Sequence, residues 1–216
     1  MLTMDQTPYG YKNKEGENTG ILFEIMNTII QASGIGKKNK LIPTKRLIIT
    51  MLSGESACTL VAETPGTDAV LDYIVPIGYS LKAGILPRSD RGITDYKSLQ
   101  GKTVAVPLGI QFDKVFHNDT GIIKVSPPKY INAIQMLKAG RVDAVAGALA
   151  NLKVMAKNIG MPNKDLAPPI VLVTGEVQLV CSKEVSSNAR QTLKKTVNQL
   201  KASGEIQTII HRYFQG

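Results

Sequence analysis

Two histidines and two cysteines are where reactive chemistry would show first, and neither pair forms a catalytic constellation. His117 lies in DKVFHN and His211 in IIHRYF, both helical in pattern. General acid–base catalysis needs groups with tuned pKa values held together against a substrate. No GxSxG, HExxH or P-loop spacing accompanies either histidine. Cys58 and Cys181 match no metal-ligand or CxxC spacing. No catalytic residue, metal site or cofactor is therefore expected. Both cysteines sit in apolar, strand-like runs, ACTLVA and VQLVC, and buried thiols are the plain reading of such positions. A single disulfide is the alternative.

The charged side chains point to a surface rather than a reaction. Lys and Arg number 26 against 17 Asp and Glu, a net charge of +9. Clustered basic charge is the footprint of phosphate binding. Here the densest cluster, Lys37, Lys38 and Lys40, has no interleaved aromatic, only Phe23 in the preceding helix, and Trp is absent. Without a stacking platform for bases, no nucleic-acid partner is expected. The plainer reading is a solvated basic surface that attracts anions. No apolar run approaches the ~20 residues needed to span a bilayer, so membrane insertion is not expected. The opening MLTMDQTPYGY is polar by its fifth residue and has no signal-peptide pattern; a leader would precede this sequence.

The elements that must position these residues alternate between strand-like and helical runs, the pattern of an α/β architecture with mostly parallel sheets. Apolar residues at Leu22, Ile25, Met26, Ile29 and Ile30 predict a helix over 21–33, stopped by Gly34 and Gly36. A second helix follows Pro43 with Thr44 as N-cap, and 57–62 is a buried strand. TVAVP (103–107) reads as a strand, and GIQFDKVFHN (109–118) opens a helix. Pro128 precedes an amphipathic helix through Ile131, Ile134 and Leu137. DAVAGA is a buried strand, 149–158 a helix, and the tail carries helices at 188–202 and 205–214. Two extended crossings, near 80–86 and 170–175, would leave residues 1–81 with 174–216 as one discontinuous lobe and 84–171 as the other.

Six stretches in this order resemble the family 3 extracytoplasmic solute-binding proteins, the type II periplasmic-binding fold of polar amino-acid importers. They are PYGYKNKEGENTGILFEIMNTIIQASG, KRLIITMLSGESACTLVAETP, YIVPIGY, SLQGKTVAVPLGIQFDKV, AIQMLKAGRVDAVAG and the C-terminal LVCSKEVSSNARQTLKKTVNQLKASGEIQTIIHRYF. The resemblance implies two α/β lobes joined by two hinge strands, with a small-molecule ligand held in an interlobe cleft and selecting the closed state. It also implies that the returning strand lies antiparallel beside the third strand. That would bring the Cα atoms of Cys58 and Cys181 within roughly 10 Å. Paired strands rarely meet disulfide geometry without strain, so two reduced thiols are expected there.

The resemblance carries a ligand set onto this chain, with two departures. Members keep an Arg before the aromatic-x-x-Pro segment to pair with a ligand carboxylate; TPGTDAVLDYIVP has none, and Thr67 stands near that place. They also place an Asp beyond the Gly-Arg-x-Asp-Ala strand for the ligand's amino group, where this chain has Ala148. Both anchors for a zwitterion are missing. The remaining expected contacts are Tyr9 and Tyr11 as an aromatic wall, with one of the two in the core, and Thr64 at a strand end. Gly109 and Gln111 would meet it at a helix opening, and Gly147 at a strand end where tight packing is the competing explanation. Arg46 is the expected replacement anion anchor, and Glu63 the candidate for a cationic group. Asp143 reads as a structural cap.

The function implied is capture of a small polar, anionic or carboxylated molecule for the membrane permease of an ABC importer. The protein would act as a monomer in the periplasm or elsewhere outside the cytoplasm, and would not be an enzyme. Two alternatives use the same fold: the ligand-sensing domain of a signalling receptor, and a dehydratase-like enzyme.

Overall fold

A computed structural model describes residues 1–53, 55, 57–62, 72–107 and 113–214. The chain divides into two compact units, 1–80 with 175–216, and 81–174. Unit 1 opens with β1 (Leu2–Met4), β2 (Tyr11–Lys12) and β3 (Asn18–Thr19), then α1 (Ile21–Ser33). It continues through β4 (Lys40–Ile42), α2 (Thr44–Leu52) and β5 (Cys58–Ala62). The long β6 (Asp72–Pro87) carries the chain into unit 2. There follow β7 (Thr103–Ala105), α3 (Lys114–Asn118), β8 (Ile123–Val125), α4 (Tyr130–Lys138), β9 (Ala144–Ala148) and α5 (Leu149–Asn158). Strand β10 (Ile170–Cys181) returns to unit 1, which ends in α6 (Ser187–Ala202) and α7 (Glu205–Phe214).

Helix α1 forms as its apolar spacing predicts. Ile21, Leu22, Ile25, Met26 and Ile29 are all fully buried, and Gly34 ends the helix at φ 68° in the left-handed region that glycine occupies without penalty. Its buried face packs against α6 and α7. In unit 2 the strand period of two sends alternate residues to opposite faces of one sheet. Leu86, Ala105 and Val145 join a core with Ile134, Leu137 and Leu152 of α4 and α5. Their neighbours Ile85, Val104, Ala144 and Ala146 join a second core with Phe116 and Leu99.

The sheets are mixed, not mostly parallel. β1 and β4 pair in parallel, as do β7 with β8 and β7 with β9. The two strands that cross between units run against their neighbours: β6 antiparallel to β9, and β10 antiparallel to β5. Two helix starts also differ from expectation. Pro43, not Thr44, is the N-cap of α2, and its carbonyl accepts from Leu47 N at 3.0 Å. Helix α3 begins at Lys114, where the Asp113 side chain accepts from Phe116 N at 2.6 Å, a stronger start signal than the glycine upstream.

Cys58 and Cys181 are bonded to each other, contrary to the expectation of reduced thiols. They are direct partners in the β5–β10 register, with Cα atoms 4.0 Å apart. Ser182 N donates to Ala57 O at 2.8 Å, which makes Cys58 and Cys181 a non-hydrogen-bonded pair. In antiparallel ladders such pairs stand closest, and both side chains project from one face. The Ser182 hydroxyl completes the join, accepting from Ala57 N at 3.1 Å and donating to Glu55 O at 2.7 Å.

Candidate functional site

In unit 1 the expected aromatic wall divides. Tyr9 is 2% exposed and belongs to the core, and its backbone does the more visible work. The Tyr9 carbonyl accepts from Leu22 N at 2.8 Å and Phe23 N at 3.1 Å, while the Pro8 carbonyl takes Ile21 N at 3.0 Å. The chain before α1 thereby satisfies the amides that open the helix. Gly20, at φ 123°, allows this, because a Cβ there would lie 2.6 Å from that Tyr9 oxygen. Tyr11 is half-buried in a two-residue hairpin pairing with Thr19. Arg46 is exposed in the first turn of α2 and forms no ion pair among the described residues.

At the C-terminal edge of unit 1, the Tyr213 hydroxyl closes a network at the start of α1. It receives Gly20 N at 2.9 Å, meets Thr19 Oγ1 at 2.8 Å and donates to Glu24 Oε1. Burial first, and the adjoining Glu24 carboxylate second, push the Tyr213 phenol up to about 12.

In unit 2 the end of β9 is built by its neighbours. Asp143 precedes the strand and is structural: its Oδ2 accepts from Thr103 N at 2.8 Å, and Arg91 stands 3.4 Å from its other oxygen. Arg88 donates to the carbonyls of Leu137 and Lys138 at the C-terminus of α4, where a cation complements the helix dipole. Gly147, at φ 155°, is covered by the ring of Tyr130, and a Cβ there would stand 2.4 Å from Tyr130 Cε1. The Ala148 N–H donates toward the Tyr130 phenol oxygen; burial raises that phenol's pKa and this N–H opposes the rise. Ala148 is the N-cap of α5 and supplies no capping side chain. Three residues on, Asn151 is fully buried, and neither of its amide atoms has a partner among the described residues. Leaving a buried polar group unpaired costs roughly 1–3 kcal/mol.

Glu63, Thr64, Gly109, Gln111 and the Thr67 position lie outside the described residues. His117 is on α3 in unit 2, and His211 is exposed on α7 in unit 1. No group of three His, Cys, Asp or Glu side chains that could hold a metal occurs among the described residues. Nor, among those residues, is any helix long and apolar enough to cross a membrane. Tyr130 and Asn151 were not singled out by their sequence signals: KYIN and ALAN read as ordinary helix starts. Only the absence of Asp or Glu between Asp143 and Asp165 marks the region.

A family model described as bacterial extracellular solute-binding proteins, family 3, matches residues 1–216. This chain belongs to that family. It is 24% identical over 213 residues to the probable amino-acid-binding protein YxeM of Bacillus subtilis (strain 168), covering 96% of this chain and 80% of YxeM. The structure is similar to that of a mutant of ArgBP from T. maritima, with TM-score 0.78 and 24% identity over 100% of this chain and 95% of that one. A histidine kinase sensor domain described as similar to periplasmic binding proteins matches with TM-score 0.78 and 16% identity, covering 99% of this chain and 95% of the other. The fold is thus the type II periplasmic-binding-protein fold, and the family is one of binding proteins rather than enzymes.

Proposed function

We propose that this solute-binding protein captures a small polar, anionic or carboxylated molecule outside the cytoplasm and delivers it unaltered to the permease of an ABC importer. The carrying observation is the chemistry at the end of β9. The position at which the family's resemblance calls for an amine-binding Asp is Ala148, with the Tyr130 phenol beside it instead of a carboxylate. A protein without that acid, and without an Arg between Arg46 and Arg88, lacks the two charged anchors of an amino-acid zwitterion. The wider charge supports an anion: unit 2 holds thirteen Lys and Arg against six Asp and Glu, whereas unit 1 holds thirteen against eleven. The proposed contacts are Tyr11, Arg46, Glu63 and Thr64 from unit 1, and Gly109 and Gln111 from unit 2; Tyr9 lies in the core and Gly147 is covered by the Tyr130 ring, so neither is proposed as a direct contact. Arg46 serves as the anion anchor, a role that suits its exposed guanidinium.

Arginine, bound in another ArgBP structure from T. maritima, fits this reading poorly, because its α-ammonium would find no acid at Ala148. The similarity to a kinase sensor domain favours one second reading, ligand sensing by the same capture. A thermal-shift screen of small acids, amines and amino acids tests the proposal. A compound present at 100 times its Kd adds about 2.7 kcal/mol of stability. The expected hits are carboxylates without an α-amino group; hits confined to amines would contradict the anionic reading.

A further inference from the structure

The opening of α5 has the makings of a polar subsite that the sequence motifs alone do not disclose. The helix is ten residues long and no side chain caps it. Asn151, in its first turn, is fully buried with both amide atoms unpartnered among the described residues. Its Cα–Cβ bond tilts toward the helix N-terminus, as in every α-helix, which is the end where the dipole is positive. The Tyr130 hydroxyl lies against the end of β9, 2.9 Å from where a Cβ on Gly147 would stand, and its hydrogen can donate. From residue 120 to 164 the chain carries seven Lys or Arg and a single acid, Asp143, which is already held by Thr103 N and Arg91.

We propose that the N-terminus of α5, with Tyr130 and Asn151, is a donor subsite that takes a carboxylate or carbonyl oxygen of the solute and rejects an ammonium group. This rests on the solute-capture reading above and specifies its ligand class: 2-oxo acids, or similar carboxylates with an oxygen where an amino acid carries nitrogen. First-turn N–H groups favour such an oxygen, and burial of an ammonium without a counter-charge is strongly disfavoured. Tyr130 sets this preference twice. Its ring fills the space over Gly147, so no side chain can project there, and its hydroxyl stands at the residue where an acid would otherwise receive an amine.

Matched pairs of probes test the assignment by calorimetric titration: L-alanine with pyruvate, L-leucine with 4-methyl-2-oxopentanoate, and L-glutamate with 2-oxoglutarate. In the unmodified protein the oxo acid of at least one pair should bind tenfold or more tighter than its amino acid. Ala148→Asp should reverse that preference by a similar factor. Tyr130→Phe, which keeps the ring, should weaken the oxo acid three- to tenfold. Asn151→Leu should weaken it while leaving the melting temperature unchanged or higher, a combination that a purely structural asparagine would not give. Amino acids binding as tightly as their oxo counterparts would overturn the subsite and leave solute capture standing. No binding by either member of any pair, in any of the four proteins, would contradict capture of a small carboxylate itself.

Discussion

Gly147 and Tyr130 share one volume, and that sharing makes a test at the scale of single residues. Gly147→Ala places a methyl 2.4 Å from the Tyr130 ring and forces a side chain into φ 155°. Overpacking of this kind costs about 1–3 kcal/mol, to be read as a lower urea midpoint. The loss should shrink when Tyr130→Ala is added, because contacting residues couple; an undiminished loss would show that the backbone conformation alone is responsible. Tyr213 supplies a second test. Its phenol is raised to about 12 from an ordinary value near 10, so folding favours the protonated form. Its contribution is complete below about pH 10 and is lost as pH rises toward 12. Melting temperatures followed from pH 9 to 12 should fall less steeply in Tyr213→Phe than in the unmodified protein; parallel curves would contradict the assignment. The sequence disclosed some of these residues and hid others for a plain reason. Gly147 was legible as a glycine at a strand end, with packing one of its two explanations. Tyr130 and Asn151 carry no local pattern, because what distinguishes them is a ring over a distant glycine and an amide left without a partner.

Elements with strong periodicity or clear stops were legible to the residue: 21–33, 149–158 and 205–214 are helices with those bounds. The starts of α2 and α3 were not, because Pro43 and Asp113 compete with nearby residues for the same capping role. The cysteines show a further limit of the one-dimensional view. Their proximity followed from strand order, but bonding depends on which type of antiparallel pair they occupy. That register is set by Ser182 and Ala57, not by any spacing between the cysteines. The bond closes a loop across a separation of 123 residues, and removing it as Cys58→Ala with Cys181→Ala should cost roughly 2–4 kcal/mol. Thiol titration of the unreduced, unfolded protein should find no reactive group; two would contradict the bond. Strand β6 offers a sharper prediction. Gly84 lies so close to β10 that a Cβ would stand 2.0 Å from the Ile170 carbonyl oxygen. Backbone cannot yield as a flexible side chain can. Gly84→Ala should therefore lose more stability than Gly147→Ala, whose neighbour is the far end of a side chain and can shift; the reverse order in urea melts would contradict this packing of β6 and β10.

For the whole molecule, the order of six unspecific segments was enough to place the chain in its family, because each segment constrains the next through the topology they build. The ligand was not legible in the same way. The family's anchors identify a ligand when they are present, and here their absence leaves only the polarity of what remains: a helix start without an acid, a phenol, a buried amide and a unit rich in lysine. That polarity favours a carboxylated solute without an ammonium group, held and released without chemical change. Ligand-observed proton NMR on the strongest thermal-shift hit tests this claim most directly. The expected result is saturation at one equivalent per chain by a carboxylate lacking an α-amino group, with the compound recovered chemically unchanged after the protein is denatured. New resonances that grow with time at catalytic amounts of protein, or saturation only by compounds bearing a free ammonium group, would contradict it.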